Sequence, residues 1–420
     1  MKPRKATRLA GKTALLGLAP ILAMAGCATV QRGETPPASA LAATPPGYLQ
    51  PIRTDALNRE FFETRASEAT LAVKAASDGS IDILALSGGG AGGAYGAGVL
   101  TGLTKAGTRP KYEIVTGVST GALIATFAFL GPEYDDKLTE AFRGKSTTNV
   151  LKSRGLGSLF STSFYDGAPL KALIDKFITD EMIDRVGAES ITGRMLLVAT
   201  TNLDREETTL WNMTAIASKG GADAHNLYRK VLLASSSIPG VFPPVLIDVT
   251  APDGKTYTEM HVDGGASRPF FVTPDIAMII DFAPPALRGA NLFVIVNGQA
   301  SSPPRTTPFN MGEVMSRSFT TVLNHMARTQ LGQTSDFAQR NGMTFKLSAI
   351  PSDVAFGGAL AFDEPGMAAI FDYASRCAVE KRIWVTPLEA LAHVEAAGAD
   401  QLAPAQAQCP LLNTPGFAPK

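Results

Sequence analysis

Ser119 stands inside the stretch Glu113-Ile114-Val115-Thr116-Gly117-Val118-Ser119-Thr120-Gly121, followed by Ala122-Leu123-Ile124-Ala125. A β-branched apolar run ends at a glycine, a serine follows, and a second glycine opens an apolar helical run. The pattern predicts a strand, a sharp turn and a buried helix. A serine nucleophile must stand proud of a sheet on a strained elbow, so the residues two positions either side, Gly117 and Gly121, must be small. A helix starting after Ser119 aims its first N–H groups at the hydroxyl and favours negative charge there. In a chain with 40 glycines, Gly-x-Ser-x-Gly also marks plain turns. The strand before it and the helix after it select the nucleophile reading.

A second stretch, Ile81 to Leu100, runs from an apolar strand into Ser87-Gly88-Gly89-Gly90-Ala91-Gly92-Gly93 and then into a helix carrying Tyr95, Val99, Leu103 and Ala106 at helical spacing. Glycines let backbone N–H groups turn towards a bound anion. Gly88, Gly90 and Gly93 fit the dinucleotide spacing, but the acidic residue at the right distance, Glu113, begins the next strand rather than ending one. The Gly-Lys-Ser/Thr of a phosphate loop is missing. With a serine elbow one βα unit later, an oxyanion hole is the best of the three readings.

A carboxylate completes the set. Tyr257 to Val262 reads as a strand ending at Asp263-Gly264-Gly265, where sheet proteins place active-site groups; Asx turns make the same pair common in plain loops. Upstream, Ser235-Ser236-Ser237-Ile238-Pro239-Gly240-Val241-Phe242-Pro243-Pro244 reads as a rigid extended loop, either a pocket wall or a plain connection. The chain has four histidines, His225, His261, His325 and His393. A Ser-His-Asp triad in α/β-hydrolase order needs a histidine after the acid. His325 and His393 have that order but lie within helical stretches. His261 shares a strand face with Asp263 and reads as a structural histidine or as one that tunes the site.

These residues need a scaffold. Strands at Met195–Ala199, Glu207–Trp211, Asn291–Val296 and Thr344–Leu347 alternate with helices read over Asn58–Ala76, Leu227–Ala234, Met311–Gln339, Gly366–Lys381 and Pro387–Ala396. That alternation predicts an α/β fold, a central mostly parallel sheet flanked by helices. Ahead of it, Lys2, Arg4, Lys5, Arg8 and Lys12 precede an apolar run to Ala25, too short to span a bilayer, and Gly26-Cys27. Residues 1–26 therefore read as a signal peptide. Residues 27–55 read as a flexible Pro/Ala/Thr-rich tether, 56–400 as the hydrolytic domain with its core at 81–300, and 401–420 as a loose tail. The 38 basic and 38 acidic residues balance, which gives nucleic-acid binding no electrostatic support. Of three cysteines, Cys377 and Cys409 are read either as one disulfide in an oxidising compartment or as two thiols.

Taken in order, Gly88-Gly89-Gly90, Gly117-Val118-Ser119-Thr120-Gly121, Ser236 to Pro244 and Asp263-Gly264-Gly265 resemble the patatin-like phospholipase family over about Ile81 to Pro269. The resemblance implies a patatin-like α/β sandwich and a Ser–Asp dyad that cleaves acyl esters without histidine. Ser119 would be the nucleophile, Asp263 the general base, and Gly88, Gly89 and Gly90 the oxyanion hole, with membrane lipid or another acyl ester as substrate. No metal, nucleotide or other cofactor is implied. Two positions depart: Gly92 stands where the family usually has Arg or Lys, and Arg268 where an asparagine often follows. Met24-Ala25-Gly26-Cys27 resembles the bacterial lipobox, which implies a Cys27 lipid anchor; Ala28 in place of aspartate implies the outer membrane. The rival readings are a serine esterase or thioesterase with a histidine-containing triad, and a lipoprotein that keeps the fold but only binds or scaffolds.

Overall fold

The computed structural model describes residues 32–37, 40, 43–48, 52–55, 76, 79–144, 150–153, 155, 162–273, 287–301, 304, 306–387, 389, 390 and 401–410. The expected signal peptide, Cys27, the helix read over Asn58–Ala76 except residue 76, most of the helix read over Pro387–Ala396, and residues 411–420 lie outside these.

Among the described residues, nine strands form one sheet: β1 (Arg53–Asp55), β2 (Asp82–Leu86), β3 (Ile114–Val118), β4 (Met195–Asn202), β5 (Glu207–Asn212), β6 (Val245–Thr250), β7 (Thr256–Asp263), β8 (Asn291–Gln299) and β9 (Thr344–Ile350). Their order is β1-β5-β4-β3-β2-β8-β9, with β7 added to β4 and β6 to β7. The run β4-β3-β2-β8-β9 is parallel throughout. The described helices are α1 (Gly93–Lys105), α2 (Thr120–Leu130), α3 (Asp135–Arg143), α4 (Ala168–Phe177), α5 (Asp180–Ala188), α6 (Met213–Ser218), α7 (Gly221–Ser235), α8 (Met311–Arg340) and α9 (Glu364–Val379). The α/β fold and its mostly parallel sheet are as the alternation predicts. β6 and helices α5 and α6 emerge only here.

Buried parallel strands are apolar on both faces because helices cover both. β2 shows this by alternation. Leu84 and Leu86 join the cluster containing Tyr95, Val99, Phe127 and Phe371, while Ile83 and Ala85 join the cluster containing Leu331 and Phe337 of α8.

One register detail positions the site. Along one edge of β4, Val118 of β3 pairs with Ala199, and Asp263 of β7 pairs with the next residue, Thr200. β3 runs parallel to β4 and β7 antiparallel, so their C-terminal ends abut. Ser119 follows the first end and Asp263 is the second.

Residues 33–420 form one compact unit. The tether expected to residue 55 stops short of that. Thr44 bridges to Thr250, and β1 pairs with β5, because Arg53 has a buried partner. Its guanidinium forms an ion pair with Glu259, bonds Glu259 Oε1 at 3.0 Å and Ala43 O at 2.8 Å, and lies over the Trp211 ring. The loose tail is corrected over residues 401–410. Cys377 and Cys409 are disulfide-bonded, Leu402 bridges to Val354, and Arg376 and Arg382 donate to carbonyls from Pro404 to Pro410.

Burial works to raise the Glu259 carboxyl, but hydrogen bonds from His261 and Arg53 win and hold it at about 2. A depressed carboxyl stabilises the fold above its ordinary value and loses that contribution as pH falls. Arg53→Met strands a buried charge and is expected to cost about 3 kcal/mol. In denaturant titrations the deficit is full above the ordinary carboxyl value of 4.5 and shrinks as pH falls towards about 2.

Candidate active site

The turn after β3 is an elbow. Ser119 has φ 55° and ψ −126°, a left-handed conformation that costs a non-glycine residue about 1–3 kcal/mol. The elbow is wedged against its neighbours. A Cβ on Gly121 would lie 2.4 Å from the Leu86 carbonyl oxygen, and one on Gly117 would lie 2.7 Å from the Gly121 carbonyl. No side chain fits at either place, which is why the spacing of the two glycines was readable.

Ser119 Oγ donates to Asp263 Oδ2 at 2.6 Å. The other carboxylate oxygen, Oδ1, accepts the Gly265 N–H at 2.7 Å. Ser119 and Asp263 are 5% and 4% exposed. Burial pushes the Asp263 carboxyl up to about 7, against the two hydrogen bonds, which pull it down.

The serine triplet at the end of α7 holds both residues. Ser235 Oγ accepts the Ser119 N–H at 3.0 Å and donates to Ala199 O, and Ser236 Oγ donates to Ser119 O. The Asp263 N–H donates to Ser237 O at 2.9 Å. The Ser235–Pro244 stretch is therefore a bracket for the pair as well as a wall. Three consecutive serines closing an apolar helix were the available sign.

The glycine loop lies against the serine, with the Gly88 Cβ position 3.2 Å from Ser119 Cβ. One of its three expected donors is corrected. The Gly88 N–H is already given to Pro269 O at 3.0 Å, because the loop is tied to the turn after Asp263. Among the described residues, the N–H groups of Gly89 and Gly90 bond no protein atom. Asn297, at the end of β8, clamps the loop: its Nδ2 donates to Ser87 O and its Oδ1 accepts the Gly96 N–H. A polar residue ending an apolar strand was its only mark in the sequence. Gly92 has the same neighbour. A Cβ there would meet Asn297 O at 2.2 Å, so the side chain usual in the family cannot be added without moving backbone. Arg268, the other departure, is half-buried; burial lowers its guanidinium to about 10.

The histidines fall elsewhere. Trp211 Nε1 can only donate, and does so to Thr200 Oγ1 at 2.8 Å. Thr200 then donates to His261 Nδ1 at 2.9 Å, leaving Nε2–H for Glu259 at 3.1 Å. His261 is fully buried and fully used, and burial lowers its imidazole. His225 bonds Asp184, and His325 lies on α8. Among the described residues, none bonds Ser119 or Asp263; His393 is outside them. Glu113, the acidic residue near the dinucleotide spacing, is buried and accepts the Asp82 N–H at 2.8 Å.

Ser119, Thr120 and Gly90 open onto a cavity of about 80 Å³. Its walls are aliphatic and aromatic, among them Leu123, Phe127, Phe142, Ile174, Phe177 and Phe242. Among the described residues, no three His, Cys, Asp or Glu side chains group as metal ligands.

An elbow serine against a buried carboxylate, under glycine N–H groups and above an apolar cavity, is the layout of an α/β hydrolase of acyl groups. The model of the family "Patatin-like phospholipase" matches residues 84–276, a span that contains Ser119, Asp263 and the glycine loop. Among solved structures the chain is similar to VipD from Legionella pneumophila, with 12% identity over 77% of this chain and 71% of that one, and a TM-score of 0.35. No curated protein sequence matches the chain.

A carboxyl raised by burial stabilises the fold while protonated and loses that contribution as pH rises through its folded value. The gap between about 7 and the ordinary 3.8 is worth on the order of 4 kcal/mol. Asp263→Asn, which cannot ionise, is therefore expected to unfold at higher denaturant than wild type at pH 8, with the difference gone by pH 4.

Proposed function

We propose that this chain is a lipid acyl hydrolase working through a Ser119–Asp263 dyad. The observation that carries the reading is the buried 2.6 Å hydrogen bond from Ser119 Oγ to Asp263 Oδ2, with no described histidine in reach. Ser119 Oγ attacks the ester carbonyl carbon while its proton passes to Asp263 Oδ2. The tetrahedral oxyanion forms beside the N–H groups of Gly89 and Gly90, which are oriented before the charge develops. Collapse breaks the ester C–O bond, and Asp263 returns the proton to the leaving alcohol. Water then attacks the acyl-Ser119 carbonyl and gives its proton to Asp263. The fatty acid departs, and Ser119 regains its proton.

A carboxylate at its ordinary value is a weak base for a serine hydroxyl. One moved to about 7 is better matched to neutral pH, which supports Asp263 in that role. The cavity supports an acyl chain as ligand, since an alkyl group loses no hydrogen bonds there. Ser119→Ala and Asp263→Asn are each expected to lower kcat/KM for p-nitrophenyl esters by ~10³-fold or more. Wild-type kcat/KM should rise with pH, reach half its plateau near 7 and level above it. His225→Gln and His325→Gln should stay near wild type; loss of activity in either would restore a histidine triad.

The basic, then apolar leader ending at Cys27 supports export and a lipid anchor in the outer membrane. Radiolabelled palmitate fed to cells making the full chain should label wild type and not Cys27→Ser.

A further inference from the structure

We infer that the cavity under Ser119 measures the acyl chain, admitting about eight carbons and stopping at Phe127. The inference rests on the lipid acyl hydrolase reading and narrows its substrate to esters of medium-length acyl chains.

Two helices give the cavity its axis. Thr120, Leu123 and Phe127 line it at steps of three and four residues, one face of α2. α2 starts at the elbow, so this face leads away from Ser119 in order. Leu170, Ile174 and Phe177 line it from α4 at the same steps. α4 also starts at the site end. A Cβ on Gly167, its N-cap, would lie 3.0 Å from Pro243 Cγ in the Ser235–Pro244 loop, and the Phe164 N–H donates to Gly240 O at 2.9 Å. Both helices therefore run away from the serine, with Phe127 and Phe177 at the far end. The polarity of the lining agrees. Among the described residues that line the cavity, the polar side chains are Ser119, Thr120 and Ser236, all at the elbow end. An ester group suits that end, and a bare alkyl chain suits the rest.

Depth and volume give the same length. Thr120 to Phe127 is about 10 Å along the helix, and an extended chain advances roughly 1.2 Å per bond, so about eight bonds fit. The cavity of about 80 Å³ has room for roughly five to eight water-sized groups, and a methylene is of that size.

The floor is held from behind. Phe127, Phe177 and Ile178 are 1%, 7% and 2% exposed. The last carbonyls of a helix lack helical partners, and here buried arginines take them. Arg109 Nη2 donates to Phe127 O at 3.2 Å and Ala128 O at 3.3 Å, while its Nη1 pairs with Asp135 at 2.6 Å. Arg229 Nε donates to Ile178 O, just past α4, at 2.8 Å. The hydroxyls of Thr126 and Tyr228 bond at 2.8 Å and tie α2 to α7. A longer chain would have to break these bonds to push the floor aside.

The test is kcat/KM of the purified protein for the p-nitrophenyl esters of butyrate, octanoate, dodecanoate and hexadecanoate. Each methylene buried gains about fourfold, so octanoate is expected to exceed both butyrate and hexadecanoate by about tenfold or more. Phe127→Ala removes the ring and is expected to make dodecanoate the best substrate. Leu123→Trp, one turn below the elbow, fills the cavity from the near end and is expected to make butyrate the best; it decides the matter if the alanine variant fails to fold. A wild type that prefers hexadecanoate, or a chain-length profile left unchanged in either folded variant, overturns the stop while the hydrolase reading stands. Titration calorimetry of octanoate and hexadecanoate onto Ser119→Ala measures the cavity without the chemistry. If no ester is cleaved, the hydrolase reading fails; the stop then stands on octanoate binding about tenfold or more tightly than hexadecanoate, and falls on equal binding.

Discussion

The structure turns on one register: β3 and β7 ending on consecutive residues of β4. Val118 beside Ala199 and Asp263 beside Thr200 bring together two side chains 144 residues apart. Nothing local to either strand does this. A slip of one residue in either pairing would leave the two side chains on opposite faces of the sheet. Given the register, the hydroxyl and the carboxylate have to meet, and they meet away from water. The carboxyl is more basic for that reason, and the fold is less stable when it ionises.

Much of the surrounding structure holds this arrangement still. Ser235, Ser236 and Ser237 tie the elbow and the aspartate to one loop, and Asn297 ties the glycine loop to the end of β8. Beneath Asp263, the donors run in one direction from Trp211 through Thr200 and His261 to Glu259, which Arg53 then neutralises. The N-terminal strand is thus part of the support of β7. Without Arg53, buried Glu259, two residues from His261 and four from Asp263 on β7, would keep its charge uncompensated.

The parts of the site that were legible in the sequence are those set by local sterics. Ser119 shows because its conformation and the backbone packed around it exclude side chains at Gly117 and Gly121. The strands show because burial on both faces makes them β-branched runs. The parts that were not legible depend on partners distant in the chain. Gly88 looks like its two neighbours until Pro269 takes its N–H. Arg53 looks like tether until Glu259 is beside it. Cys377 and Cys409 could not be paired without knowing that residues 401–410 fold back along α9. The span of α8 was legible from its periodicity. Gly92 carried the opposite lesson: a departure from the family pattern that is matched by a carbonyl, Asn297 O, standing where the side chain would be.

The proposed function requires that Asp263 activate Ser119 directly. The most direct measurement is the rate at which a fluorophosphonate probe labels residues 33–420, with the modified peptide identified by mass spectrometry. One adduct is expected, on Ser119, forming faster as pH rises through about 7 and slowed at least a hundredfold by Asp263→Asn. Labelling of another residue, or of Ser119 at the same rate in folded Asp263→Asn, would contradict it.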